Sequence, residues 1–290
     1  MNRKPKTSVI IVQTIVAVII AIYVLFPFYM VLTNTAKTTT GIVNDPLTFA
    51  GMSFGNFIKN ISGVINNTHF KFWQAFGCSV VITGVSVVLL DLFGAMAGWV
   101  ISRNQKKKWA SFIYFTFIAS MIIPFQVVML PLVANFKRLG DFIGIHMNYS
   151  IPGIIFAYLG FGGAMTVFIL TGFIKSVPYD LEESASIDGC SPEGIFFKII
   201  FPLLRPVIMT VTILNGMWIW NDFLLPSMML GLDGEYKTIP VAVQSFVGSY
   251  VTEWNMIMAA ALLAIIPMVI VFLFGQKQIV QGMIDGAVKG

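Results

Sequence analysis

Apolar residues gather in six long runs, 9–32, 73–101, 110–134, 151–173, 207–230 and 254–276, and most charges fall between them. A helix needs roughly 20 apolar residues to cross the hydrocarbon of a bilayer. Each run meets that length, so the pattern predicts an all-α, polytopic membrane protein with six transmembrane helices. Two polar intervals interrupt it. Residues 34–71 are rich in asparagine, with Asn34, Asn44, Asn56, Asn60, Asn66 and Asn67. Residues 174–206 hold two short amphipathic stretches on either side of Gly189. The resulting division is a tail and first transmembrane helix at 1–33, an extracytoplasmic segment at 34–71, a transmembrane core at 72–280 and a cytoplasmic tail at 281–290.

Composition agrees with the pattern. The 290 residues are 57% hydrophobic and 11% charged, with a mean hydropathy of +0.84, whereas soluble domains run near 25% charged. The first apolar run, Val9 to Leu32, is about 24 residues, longer than the roughly 7–15 of a signal peptide. It is read as an uncleaved span. Lys and Arg are retained on the cytoplasmic side. With the N-terminus inside, 12 of the 18 fall there: Arg3, Lys4, Lys6, Arg103, Lys106, Lys107, Lys108, Lys175, Lys198, Arg205, Lys277 and Lys289. Both termini are therefore expected in the cytoplasm, with the run RNQKKK at 103–108 a solvated anchor at the lipid surface. The net charge of +5 sits at membrane edges, which favours lipid as a contact and excludes nucleic acid as a partner. Cys78 and Cys190 are too few and too differently placed for a disulfide framework, and neither has a metal-ligating companion.

The 174–206 interval is the most informative. It carries Asp180, Glu182, Glu183, Asp188 and Glu193 against Lys175, Lys198 and Arg205, a net charge of −2 on the side where cations are usual. Such a sign opposes simple lipid contact and suits another protein. Acids near Pro178 favour the positive start of a helix. Gly189 can take the left-handed turn that ends it. Ser191 then caps a second helix with Pro192 at its first position, and Ile195, Phe196 and Ile199 form its apolar face. Pro202 ends it.

Glu183-Ser184-Ala185, then three residues, Gly189, nine residues and Ile199-Ile200-Phe201-Pro202 resemble the E-A-A…G…I-x-L-P loop of bacterial ABC importer permeases. Ser184 and Phe201 replace Ala and Leu. With Phe156-Ala157-Tyr158-Leu159-Gly160, the stretch from Leu181 to Pro206 and the terminal GMIDGAVKG, the chain is similar to MalG-type permeases of carbohydrate importers. The resemblance implies a MetI-like ABC importer permease fold of six spans. It implies three kinds of protein partner: a second, MalF-type permease, two copies of an ABC ATPase and an extracytoplasmic solute-binding protein. It assigns the ATPase-coupling role to Glu182, Glu183, Ser184, Ala185, Asp188, Gly189, Ile199 and Pro202. It also directs the tail, including Gly286, Val288, Lys289 and Gly290, toward the ATPase. The chain itself is expected to bind no metal or cofactor and to catalyse nothing. It has no GxxxxGK[ST] phosphate loop, so ATP and Mg²⁺ belong to the partner ATPase.

Polar groups inside the apolar runs are the other candidates. Asp91 lies in the second. In the fifth, Asn215, Trp218 and Asp222 recur at i, i+3 and i+7, one helical face, with Asn221 beside them. An indole face next to amide and carboxylate oxygens suits a sugar on a translocation path; helix–helix hydrogen bonding or an aromatic belt explains the same residues. Small residues at Gly94, Gly98 and Ser102 let helices approach closely in lipid. Gly160 with Ala164, and Ala260 with Ala264, repeat that spacing. Residues 231–253 form an outer loop placed to meet an external protein. A permease for a non-sugar solute such as a polyol phosphate, or an ATP-independent secondary transporter, are the alternatives; the second leaves the acidic loop unexplained.

Overall fold

The structure is a computed structural model that describes residues 7–247 and 252–287, with side chains described for 8–247 and 252–276. Helices account for the described secondary structure apart from one bridged pair, Val247 and Thr252. In chain order they are α1 (Thr7–Thr35), α2 (Thr39–Asn44), α3 (Phe54–Ile65), α4 (Phe72–Arg103), α5 (Lys108–Ser120), α6 (Phe125–Ile143), α7 (Ile151–Ile174), α8 (Asp180–Ile187) and α9 (Pro192–Ile195). A π-helical turn (Phe196–Ile200) leads into α10 (Phe201–Leu203), α11 (Arg205–Asn221), α12 (Leu224–Met229), α13 (Ile239–Ala242), a 3-10 turn (Val243–Phe246) and α14 (Trp254–Ala287).

Among the described residues, four helices are long and apolar enough to cross a membrane: α1, α4, α7 and α14. Two bent pairs raise the number to six. The bends add breaks that run length alone does not predict, one within 110–134 and one just upstream of 207–230. α5 stops at Ser120, and α6 restarts at Phe125 with its axis turned by 108°. Pro124 explains the break. It offers no N–H to continue the ladder and excludes α geometry from Ile123; its own backbone is extended, at ψ 135°. The fifth run gives α11 and then the short α12, because Asp222 turns extended at ψ 129° and ends α11. Its bent partner lies upstream: residues 192–203 meet α11 at 74°.

The chain divides into two compact units. One comprises residues up to Phe72 with Val243–Ile266, the other Trp73–Ala242 with residues from Pro267 onward. In the first, α1 is exposed at every residue from Ser8 to Phe28. A helix apolar all round needs lipid or a partner to cover it. Beyond α1 the chain becomes polar and tightly tied. Lys37 is fully buried, and its Nζ donates to the carbonyls of Asp45 and Thr48 at 2.6 Å each. Asn60 Nδ2 donates to the carbonyls of Thr35 and Lys37, while Asn255 Nδ2 donates to Asn60 Oδ1. The asparagine-rich interval is thus a hydrogen-bonded cap with its own buried interior.

The second unit holds the main core. Ile82, Val87, Leu90, Ile154, Tyr158 and Ile219 form one cluster from α4, α7 and α11. Ala95, Leu170, Ile174, Ala185, Phe196 and Ile200 form another that continues onto α8 and the π turn. Gly94 and Gly98 of α4 face α7: a Cβ on Gly94 would stand 2.3 Å from Thr166 Cγ2, and one on Gly98 would stand 3.1 Å from the Thr171 nitrogen. By contrast, a Cβ on Gly160 would meet nothing within 4 Å.

Candidate functional site

Residues 174–206 fold as a helix, a glycine turn and a second helical arm. Asp180, Glu182 and Glu183 occupy the first turn of α8, where the helix dipole favours negative charge. Gly189 ends α8 at φ +82°, a conformation that a β-branched residue opposes. The Ser191 hydroxyl accepts from the Gly194 N–H, and Pro192 opens α9. The second arm is not the regular helix its spacing predicts. Phe201 N–H donates to the Phe196 carbonyl, five residues back, immediately before Pro202, which has no N–H to give. The π turn rotates the apolar face: Phe196 and Ile200 are buried, while Ile199 is only partly so. Pro202 does not end the arm; it lies within α10, and the sharp bend follows between Leu203 and Arg205.

The loop residues separate into two faces. Glu183, Ser184, Ser186, Ile187, Asp188 and Gly189 are exposed, and Ile187 is 81% so. Ala185 and Glu182 point inward. Glu182 is the acid of the one ion pair among the described residues: Arg103 Nη2 lies 2.6 Å and Arg103 Nε 2.7 Å from Oε1, and Trp99 Nε1 donates to Oε2 at 3.0 Å. Arg103 is therefore not a solvated anchor, unlike its exposed neighbours Lys106, Lys107 and Lys108. Its place four residues after Trp99, in the last turn of α4, was the available signal. A shallow depression of about 360 Å³ opens beside this pair, between Trp99, Tyr179, Glu183, Ile187 and Pro192.

The polar groups of the spans face other helices. Asp91 Oδ2 accepts from Thr212 Oγ1 at 2.5 Å. Asn215, fully buried, donates from Nδ2 to Thr166 Oγ1 at 2.8 Å. Asp222 Oδ2 accepts from the Tyr158 hydroxyl at 3.0 Å, and Trp218 meets the same Tyr158 ring edge-on at 5.5 Å. Asn215, Trp218 and Asp222 thus all address α7. Asn221 is exposed and donates to the Met217 carbonyl, one turn back. Tyr158, Thr166 and Thr212 were the partners that sequence reasoning missed. Gln74 Nε2 donates to the Glu235 carbonyl, and the Ile239 N–H to Ser79 Oγ, so 231–242 is tied to the start of α4. Residues 248–251 of that loop, and Val288, Lys289 and Gly290 of the tail, lie outside the described residues, and only the backbone of Gly286 is described.

Residues 92–285 match the family described as "binding-protein-dependent transport system inner membrane component". The chain belongs to that family. This permease is 36% identical to the "probable starch degradation products transport system permease protein AmyC" of Thermoanaerobacterium thermosulfurigenes, over 95% of its own length and 96% of the relative's. It is 33% identical to the "melibiose/raffinose/stachyose import permease protein MelC" of Bacillus subtilis (strain 168), over 99% of this chain and 100% of that one. A chain of a bacterial ABC transporter that imports the acidic polysaccharide alginate superimposes with a TM-score of 0.75 at 18% identity, covering 96% of this chain and 99% of that chain. The permease is thus a multi-pass membrane protein with the ABC importer permease fold, and its acidic loop lies inside the matched region.

Proposed function

We propose that this chain is one permease subunit of an ATP-driven oligosaccharide importer, forming half of the translocation pathway. It pairs with a second, related permease, two copies of an ATPase and an external solute-binding protein. The observation that carries the reading is the two-faced loop. α8 presents Glu183, Ser186, Ile187 and Asp188 outward, while Glu182 and Ala185 hold it on the core. An acidic, partly apolar face on the cytoplasmic side suits a basic, grooved protein partner. The relatives that carry starch degradation products and raffinose-type sugars support the substrate class.

ATP binding closes the partner's nucleotide sites and displaces α8. The core then shifts between inward and outward access. A loaded binding protein biases that equilibrium only by its differential affinity for the two states. Both termini and the 174–206 loop lie in the cytoplasm. The tail residues Gly286, Val288, Lys289 and Gly290 are assigned to contact with the ATPase pair by the family resemblance. Asp91, Asn215, Trp218 and Asp222 hold the bundle together rather than bind sugar.

Deletion of the gene tests the reading. Uptake of radiolabelled maltotriose or raffinose should fall while glucose and glycerol 3-phosphate uptake persist, and a tagged chain should recover an ATPase. Unchanged oligosaccharide uptake, or loss of only the phosphorylated polyol, would refute the sugar assignment. For orientation, single cysteines at Gln105 and Glu235 should be respectively shielded from and open to an impermeant thiol reagent in intact cells.

A further inference from the structure

We propose that Arg103 is a positioning residue that welds the docking helix α8 to two membrane spans at once, so that α4 and α7 move with α8 as one body. The proposal rests on the reading of residues 174–206 as the partner-docking loop. It adds the route by which motion leaves that loop.

The Arg103 guanidinium makes contact in three directions. Nε and Nη2 both reach Glu182 Oε1 on α8. Nη2 also donates to the Val177 carbonyl at 3.1 Å, and Nη1 to the Ile174 carbonyl at 3.4 Å. Those two carbonyls lie at and just beyond the C-terminal end of α7, where the negative dipole end favours a cation; the Ile174 carbonyl also accepts from the Val177 N–H at 3.0 Å. The second carboxylate oxygen of Glu182 is taken by Trp99 Nε1, also from α4. Both oxygens of one α8 side chain are therefore held by α4, and the same guanidinium ties α4 to α7.

Two features make this joint stiff. A planar guanidinium presents its donors in a fixed fork, so α8 cannot swing about it as it could about a lysine ammonium. Just over one turn earlier along α4, a Cβ on Gly98 would stand 3.1 Å from the Thr171 backbone nitrogen. The spans are in near-backbone contact beside the joint, with little room for lateral play. Trp99 continues the connection, its ring 5.6 Å from Phe196 at the head of the second arm. Displacement of α8 is thus delivered to α4 and α7 first.

Arg103→Lys and Glu182→Gln test the joint, with the outward-facing Glu183→Gln as comparison. In the full-length chain in nanodiscs, with Cys78 and Cys190 replaced by alanine, spin labels at Gln105 and Ser186 should give one narrow distance. That distribution should broaden in both joint variants and not in Glu183→Gln. In the assembled importer both joint variants should retain bound ATPase, while maltotriose or raffinose uptake per ATP hydrolysed falls roughly tenfold. Glu183→Gln should instead lower the amount of ATPase bound. An unchanged distance width, or unchanged uptake per ATP in both joint variants, would overturn the proposal. So would loss of ATPase from Glu182→Gln matching that from Glu183→Gln, since Glu182 would then belong to the docking face. Should the wild-type chain bind no ATPase, the docking reading falls. The joint is then judged by the distance widths alone, broadening in both variants supporting it and unchanged width overturning it.

Discussion

Gly94→Ala tests how closely α4 and α7 are packed. The added Cβ would stand 2.3 Å from Thr166 Cγ2 and 3.2 Å from Thr166 Cβ, so Thr166 or a helix must move. Thr166 is poorly suited to yield. A β-branched residue in a helix has few χ1 positions, and this one is held by its hydroxyl, which donates to the Gly162 carbonyl at 2.8 Å and accepts from Asn215 Nδ2. Rotating the methyl away swings the hydroxyl off both partners. The Asn215 side chain would then lose the hydrogen bond its Nδ2 donates, while its Oδ1 has no partner among the described residues. Overpacking a core costs about 1–3 kcal/mol, and an inter-helix hydrogen bond in lipid averages about 0.6 kcal/mol, reaching about 1.7. Together they give roughly 2–4 kcal/mol, or a melting point lower by roughly 4–15 °C.

Thermal denaturation in detergent, followed by size-exclusion chromatography at one fixed heating schedule, reads that shift. Gly160→Ala is the control, because its Cβ would meet nothing within 4 Å; its melting point should stay near wild type. Thr166→Ser supplies the sharper test. It removes the clashing methyl and keeps the hydroxyl, so Gly94→Ala combined with Thr166→Ser should regain most of the loss. The reasoning fails if Gly94→Ala melts with Gly160→Ala, or if the serine gives no recovery.

Three further outcomes follow from the same geometry. Gly189→Val should cost about 1–2 kcal/mol through its left-handed backbone, with φ at +82° and open space around it, and, like Glu183→Lys, should reduce ATPase recovery without lowering membrane insertion; wild-type recovery from both variants would refute the docking face. Tyr158→Phe removes the donor to Asp222 and should lower the melting point while sugar preference in competition uptake stays the same; altered preference in an intact complex would make this cluster part of the solute path. The Thr48 hydroxyl and backbone N–H groups hold the Asp45 carboxylate below its ordinary pKa. That contribution to the cap is whole above the ordinary carboxylate range and is lost as pH falls through the lowered value, so hydrogen exchange at Leu47 and Thr48 should accelerate only in acid below that range. Acceleration already near neutral pH would show that the carboxylate does not hold this turn.

Apolar run lengths were enough to find the spans, because transfer into lipid depends on composition along a window. They say nothing of direction, and that is why the two bent pairs were not visible in them. Pro124 is as acceptable to hydrocarbon as its neighbours, yet it turns the backbone by 108°. The glycine turn and the Ser191 cap were legible because each is a local demand on φ or on one N–H. The inward face of α8 was not. Glu182 and Glu183 are adjacent, chemically alike and one residue apart in a favourable first turn; only the arrival of Arg103, 79 residues earlier in the chain, makes one a buried strut and leaves the other on the surface. The same reasoning applies to the fifth run. A period of three and four correctly put Asn215 and Trp218 on one side of α11, but the partners that give that side its meaning, Thr166 and Tyr158, stand in a run whose own pattern is nearly all apolar. In a membrane, where apolar side chains gain nothing by leaving lipid for one another, such sparse polar pairs decide which helix faces which. The residues that define the bundle are therefore those whose significance a window average dilutes most.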